Sequence, residues 1–405
     1  MVNCIIAQSG GPTSVINSSV VGLLQANKDI KAFNKVYAGL NGIEGILNGK
    51  IIDLSSFSDN EINTFRYTPS SGLGSCRYKM KKLDESTEEY DKLLNILKLH
   101  NIKAFFYVGG NDSMDTIAKL GKYAKETKID IKFIGIPKTI DNDLMYTDHT
   151  PGFGSAAKFI ATTALETYLD SSVYINNGIF ILETMGRDTG WLAASACIAR
   201  INNKPVADFI YLPEKAFDVV KFLADVAKRF KENNKVFIVV SEGLRNAEGK
   251  FITEVKSQAH DKFGHAQLGG VGAYLKELII SSGITNRVKS LELGVLQRCA
   301  MHCASDVDLQ EAFDAGYSAL KFALEGKSGY MVTINRESAS NYKVSYNIIE
   351  ADKIANNVKY FPTELINEEG NNIKEEALEY FLPLVSGEPS LVIENNLPKF
   401  ISISK

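Results

Sequence analysis

Two short stretches hold the residue types that phosphoryl chemistry needs. Gly109-Gly110-Asn111-Asp112-Ser113 follows an apolar run over 103–108, and Pro137-Lys138-Thr139-Ile140-Asp141-Asn142-Asp143 follows another over 131–136. Both runs read as strands. Carboxylates, a lysine and small residues thus stand at the carboxyl ends of two strands expected to be neighbours, the place where open α/β sheets bind ligands. A further small-residue loop, Ser9-Gly10-Gly11-Pro12-Thr13-Ser14, follows the strand-like run 3–7, and the loop 68–77 ends in the cation Arg77. Glycine N–H groups, Lys138 and Arg77 can hold phosphate; carboxylates can hold Mg²⁺, and one of them can accept a hydroxyl proton. Each motif alone is also good turn composition. Together they point to a Mg²⁺-dependent phosphotransferase.

The elements that must position these loops alternate between strand-like and helical patterns, as in parallel βαβ units. A helix is predicted after Thr13 or Ser14, with either as its cap. The glycine-rich stretch 36–48 reads as a loop, and Ser86-Thr87-Glu88-Glu89 has capping-box spacing before a helix bearing Leu93, Leu94, Leu97 and Leu99 on an apolar face. Beyond residue 150, helices are predicted over 154–169, 191–199, 216–231, 266–280 and 309–324, and strands over 178–182, 236–240 and 291–296. The tail from 335 reads as a hairpin plus a helix near 375–381.

The chain has 405 residues, enough for two domains. With 45% hydrophobic and 23% charged residues it has ordinary globular composition, and its net charge of −3 gives no bulk attraction to nucleic acid or anionic membrane. No apolar run has membrane-spanning length, and the N-terminus has no basic leader. Five scattered cysteines (Cys4, Cys76, Cys197, Cys299, Cys303) suit a reduced, cytoplasmic protein. Gly152-Phe153-Gly154-Ser155-Ala156-Ala157 matches a relaxed dinucleotide fingerprint but lacks a preceding strand, so a glycine-started helix is the better reading. Cys299-Ala300-Met301-His302-Cys303 lacks the second ligand pair of a zinc site, and His260 and His265 lack metalloprotease spacing.

The order of motifs resembles the phosphofructokinase family, in particular its pyrophosphate-dependent members. Besides the loops above, the match includes Thr150-Pro151-Gly152-Phe153-Gly154, Met185-Gly186-Arg187-Asp188-Thr189-Gly190-Trp191, Ser241-Glu242-Gly243 and Leu293-Gly294-Val295-Leu296-Gln297-Arg298. It covers about the first four-fifths of the chain. The resemblance implies an α/β fold: two Rossmann-like three-layer domains with parallel-rich sheets and the active site in the cleft between them. The expected division is 1–150 with about 285–335 as the donor and Mg²⁺ domain, and 151–284 with about 336–405 as the sugar-phosphate domain. Asp141 then matches the base for the fructose 6-phosphate 1-hydroxyl, and Asn111, Asp112 and Asp143 match the magnesium positions. Gly10, Gly11, Gly109, Gly110, Asp112 and Lys138 match the donor site. Thr139, Met185, Gly186, Arg187, Glu242, Lys289 and Arg298 match the sugar-phosphate site, and Arg77 matches a cation facing the transferred group.

ATP-using members carry glycine at the positions of Asp112 and Lys138. A carboxylate at 112 adds bulk and like charge where the α-phosphate of ATP would pass, and an ammonium at 138 can hold pyrophosphate. The resemblance therefore implies pyrophosphate as donor, fructose 6-phosphate as acceptor, a homodimer, and no nucleic-acid or membrane partner. The alternatives are an ATP-dependent phosphofructokinase, a sedoheptulose 7-phosphate kinase, and a non-catalytic sugar-phosphate-binding subunit. Asn111 stands where many relatives have Asp, Val295 where many have His, and Gly178 where many have Arg.

Overall fold

The computed structural model describes residues 2–253, 270–338 and 341–403. The predicted stretch 266–269 and both His260 and His265 lie outside the described residues. The chain folds into two compact units: Met1–Ser155 with Arg298–Val358 and Ser386–Lys405, and Ala156–Gln297 with Lys359–Val385.

The first unit opens with β1 (Asn3–Gln8), α1 (Ile16–Ile30), β2 (Val36–Gly39), α2 (Gly42–Leu47), β3 (Ile51–Asp53), α3 (Asp59–Arg66), α4 (Glu88–Leu99), β4 (Ile102–Gly109), α5 (Asn111–Glu126) and β5 (Lys132–Pro137). Helix α6 (Phe153–Ser171) carries the chain onward. The second unit continues with β6 (Ile179–Thr184), α7 (Trp191–Ala194), the short ribbon β7 (Arg200–Ile201) and β8 (Lys204–Pro205), β9 (Phe209–Tyr211), α8 (Val219–Asn233), β10 (Val236–Ser241), α9 (Val271–Ser281) and β11 (Val288–Glu292). After α10 (Leu296–Cys299) the chain returns to the first unit as α11 (Asp306–Leu324), β12 (Tyr330–Ser338) and β13 (Lys343–Glu350). Helix α12 (Ala377–Phe381) belongs to the second unit, and the terminal ribbon β14 (Ile393–Glu394) and β15 (Leu397–Pro398) to the first.

Among the described residues the first unit holds one seven-stranded sheet, ordered β13-β12-β5-β4-β1-β2-β3. β12, β5, β4, β1 and β2 pair in parallel, while β13 and β3 are antiparallel edges. Alternate β4 residues enter opposite cores: Ala104, Phe106 and Val108 with α1 and α11, and Phe105 and Tyr107 with α4 and α5. Both faces of a covered parallel strand must be apolar, which is why 103–108 is a continuous apolar run. The second unit holds a parallel sheet ordered β11-β6-β10-β9, with apolar residues of α8 and α9 in its core.

Several expectations need correcting. Residues 36–48 are not a loop: Val36–Gly39 pairs with β1, and α2 follows at once. Thr13 and Ser14 do not cap α1; Val15 is the cap residue, and its N–H donates to Thr13 Oγ1 at 3.3 Å. Thr87 makes no cap bond because its backbone is already helical, at φ −101° and ψ −6°. The capping box forms instead at α3, where Ser58 and Glu61 bond reciprocally. The strand expected at 291–296 runs Val288–Glu292 and pairs with β6, so residues 285–297 fall with the second unit. The tail hairpin begins at Tyr330 and extends the first unit's sheet through β5. Of the tail, Lys359–Val385 belongs to the second unit, where Trp191 stacks edge-on against Phe361 and donates Nε1–H to the Lys359 carbonyl at 2.9 Å.

Helices α1 and α11 meet through glycine. A Cβ on Gly22 would lie 1.9 Å from the Phe313 carbonyl oxygen, and one on Gly316 would lie 1.9 Å from that of Ser19. Neither methyl fits without separating the helices. Gly316→Ala should therefore lower stability by about 1–3 kcal/mol, read as a lower midpoint of chemical unfolding.

Candidate active site

In the first unit, β5, β4 and β1 lie side by side and parallel, so the loops leaving their carboxyl ends emerge together. Gly109 is paired with Pro137, which sets the two motif loops at one level. The chain turns one way from β1 to β2 and the other way from β4 to β5, so the crevice is at the topological switch point. Here the expected convergence is found.

The glycine loop after β1 is braced from two directions. Lys138 Nζ donates to the Gly11 carbonyl at 2.6 Å, and a Cβ on Gly10 would lie 3.2 Å from the same ammonium. From the other side Ser75 Oγ donates to the Gly10 carbonyl at 2.6 Å, and Gly10 N–H donates to the Cys76 carbonyl at 3.1 Å. These bonds set the loop ending in Arg77 against Gly10. That loop is itself hung on a fully buried pair: Gln8 donates to Asn17 at 2.8 Å and accepts from Leu73 N–H at 3.0 Å. Asn17 then binds the carbonyls of Thr68 and Ser70 and the N–H of Gly72.

Lys138 is only 3% exposed. Burial pulls its pKa down to about 8, against the opposing pull of Asp141 and Asp143, while Arg298 and Arg77 push it the same way as burial. Two carboxylates and three cations therefore share one electrostatic neighbourhood. Arg298 joins this set, 3.4 Å from where a Gly11 Cβ would be. Asn142 has φ 55°, a left-handed conformation that asparagine tolerates, and it makes the Asp141-Asn142-Asp143 turn. Asp141 N–H donates to Thr139 Oγ1 at 3.1 Å, and Thr139 Oγ1 lies 3.4 Å from Asp141 Oδ2.

Thr139 is fixed by a scaffold that sequence spacing did not reveal. Its N–H donates to the Pro151 carbonyl at 3.2 Å, and its carbonyl accepts from Thr150 Oγ1 at 2.8 Å. The fully buried His149 holds that segment, with Nδ1 2.8 Å from Asp148 Oδ2 and Nε2 2.5 Å from Glu311 Oε2. Burial opposes the imidazolium, but Glu311 and Asp148 outweigh it and raise the pKa to about 9. Asp308 accepts N–H bonds from Gly152 at 2.8 Å and Ser155 at 2.9 Å. The start of α6, which carries the dinucleotide-like glycines, is thus filled by a protein carboxylate. No local signal could have found these residues, because His149 and Glu311 are 162 positions apart.

Asn111 does not fit the metal role. Its Nδ2 donates to the carbonyls of Asn357 at 2.6 Å and Ile354 at 3.2 Å, and its Oδ1 accepts from Asn356 N–H at 2.6 Å. The carboxamide is engaged at both ends. Asp112 is exposed on the first turn of α5, beside the Gly109-Gly110 loop. Among the described residues no three His, Cys, Asp or Glu side chains gather as a metal cage. Mg²⁺ needs none, since it binds through one or two carboxylates, waters and substrate phosphates, and Asp141 with Asp143 supplies hard oxygen donors of that kind.

The remaining predicted residues lie in the second unit. Thr184 and Ser241 are paired at the ends of β6 and β10, so the Met185-Gly186-Arg187 turn and Glu242 are adjacent. Gly186 N–H lies 3.3 Å from Glu242 Oε1, and Ser241 Oγ donates to the Gly186 carbonyl at 2.5 Å. Gly186 has φ 129° and leaves no room for a side chain beside the Thr189 carbonyl. Met185 N–H is held by buried Gln297 at 3.2 Å. Lys289 stands apart from this group: it is paired with Phe180, roughly 13 Å along the strand from Thr184, and its ammonium is 3.8 Å from Asp170.

The phosphofructokinase family model matches residues 3–323. The chain belongs to the phosphofructokinase family. A pyrophosphate–fructose 6-phosphate 1-phosphotransferase of Halomonas elongata is 38% identical over 406 residues, covering 100% of this chain and 96% of the relative. A sulfofructose kinase of Alkalicoccus urumqiensis is 35% identical over 340 residues, or 84% of each chain. The crystal structure of a pyrophosphate-dependent phosphofructokinase from Nitrosospira multiformis superposes with a TM-score of 0.87 at 36% identity, covering 99% of this chain and 96% of that one.

Because Lys138 sits near pH 8, its charge is lost within an accessible range. Below about 8 the ammonium is present for an anion; above it the attraction goes. Calorimetric binding of inorganic pyrophosphate should weaken from pH 7 to pH 9, and in Lys138→Met that part of the pH dependence should vanish.

Proposed function

We propose that the protein transfers a phosphoryl group from pyrophosphate to the 1-hydroxyl of fructose 6-phosphate, giving fructose 1,6-bisphosphate and phosphate. The observation that carries this reading is the buried Lys138 ammonium bonded to the glycine loop, with Asp112 on the adjoining helix turn. A diphosphate meets that cation as a compact dianion-rich group, whereas a nucleotide would bring its α-phosphate against a carboxylate. The names of the Halomonas and Nitrosospira proteins support the same donor.

In this reading Asp141 accepts the proton of the 1-hydroxyl as the oxygen attacks phosphorus, with Thr139 holding the carboxylate in line. Lys138 and Arg77 stabilise charge that shifts to the leaving phosphate. The loop N–H groups of Gly10, Gly11, Gly109 and Gly110 orient the donor. Asp143, with Asp112 and the donor's own oxygens, would hold Mg²⁺, which when bound would neutralise charge on the phosphate oxygens. Met185, Gly186, Arg187 and Glu242 bind the sugar phosphate, as does Arg298. Lys289 serves the neighbouring subunit of a homodimer, which accounts for its distance from the Met185 turn. The free thiols suit a reducing cytoplasm. The Alkalicoccus relative favours a second acceptor reading, a phosphorylated or sulfonated ketose in place of fructose 6-phosphate.

Initial rates with pyrophosphate and with ATP decide the donor, measured first with fructose 6-phosphate, then with sedoheptulose 7-phosphate and sulfofructose. Pyrophosphate and fructose 6-phosphate should be preferred; clear ATP preference overturns the donor assignment. Asp112→Gly with Lys138→Gly should raise ATP use. Asp141→Ala should lower kcat by about 10²–10⁴-fold while sugar-phosphate binding stays near wild type, which also excludes a non-catalytic binding subunit.

A further inference from the structure

The residues on either side of Asn111 belong to the donor crevice, yet its side chain points its bonds elsewhere. It grips a turn of the chain more than 240 residues away: two carbonyls, Ile354 and Asn357, accept from its NH₂, and Asn356 N–H donates to its oxygen. Asn356 has φ 63°, and that left-handed conformation delivers its N–H to Asn111. The turn is anchored at its other end by burial. Ala351 and Ile354 are fully buried in the same apolar cluster as Leu144, the residue directly after Asp143.

The turn thus ties two donor loops together. One end is latched to the residue between Gly110 and Asp112; the other packs in the cluster that seats Leu144. We propose that the turn at residues 354–357 forms part of the donor site and that Asn111 is its positioning residue, not a metal ligand. The chemistry selects asparagine at this position. A carboxylate at 111 could accept from Asn356 N–H but would face two carbonyl oxygens with no proton to offer, so it would repel the turn that the amide holds. The latched turn then walls the helix side of the crevice, next to Asp112. This inference rests on the pyrophosphate reading for the identity of the ligand, but the latch itself can be measured without one.

Two variants open the latch from opposite sides. Asn111→Asp removes the two donors, and Asn356→Val disfavours the left-handed residue without touching Asn111. Hydrogen exchange of the intact, ligand-free protein should quicken at 351–358 in both. The KM for pyrophosphate should rise roughly tenfold in both while kcat falls less, and the double variant should be no worse than the more affected single one. The Mg²⁺ concentration for half-activation should stay unchanged in Asn356→Val. Faster exchange at 351–358 with an unchanged KM would remove the turn from the donor site. Unchanged exchange in Asn111→Asp, with a lowered Mg²⁺ requirement, would make position 111 a metal site and overturn the proposal. If the wild-type protein prefers ATP, the donor reading fails by itself, and the same exchange and KM comparison with ATP still decides the latch.

Discussion

The structure of the first unit depends on keeping one ammonium ion out of water. A lysine charge that is 3% exposed is costly unless fixed oxygens surround it, and Lys138 meets the Gly11 carbonyl and the field of Asp141 and Asp143. Arg298 and Arg77 add like charge to the same field. In the proposed reaction an incoming phosphate would meet the Lys138 ammonium with its position already fixed by the glycine loop. Small displacements of the glycine loop would forfeit this, which accounts for the bracing of Gly10 by Ser75 and Cys76 and of the next loop by Gln8 and Asn17.

Thr139 and Asp141 are set by a different device. Thr139 is not fixed by its own neighbours but by residues 150 and 151, and those by an imidazolium between two carboxylates. With a pKa near 9 this cation persists at neutral pH, so both ring nitrogens act as donors and the ring cannot rotate without losing one bond. Tyr342 donates to the other oxygen of Glu311 at 2.6 Å, and Arg336 pairs with Asp148 at 3.0 Å, so each carboxylate is itself held. A rigid polar network of this kind serves catalysis by removing slack.

Much of this was legible in the sequence because parallel α/β folds write their sites locally. A buried strand followed by glycine, lysine or carboxylate marks a strand end, and the three loops that share the crevice each follow such a run. Legibility failed where partners are distant. Asn111 read as a weak metal ligand because position 111 was judged by its loop alone, whereas its partners are at 354–357. The division of the chain was obscured similarly: nothing in 330–338 announces that β12 will pair with β5. Stretch 36–48 was obscured by glycine density, since Gly42 and Gly45 lie inside a helix. Thr87 matched a capping pattern that its backbone angles do not use, while Ser58 with Glu61 did the same work unnoticed.

The return of the chain to the first unit after residue 297 has a consequence for how the protein comes into being. Helix α11 covers α1, β12 covers the open edge of β5, and Glu311 completes the clamp on His149; all three are made after the whole 156–297 segment. During synthesis the amino-terminal strands therefore wait, with β5 unpaired on one side and the α1 face bare, until the ribosome has passed residues 156–297 and made α11 and β12. That interval exposes a flat strand edge and apolar surface together, the combination that nascent chains most need shielded. The loops around Thr139 and Asn111 gain their distant partners only once residues 306–357 have arrived.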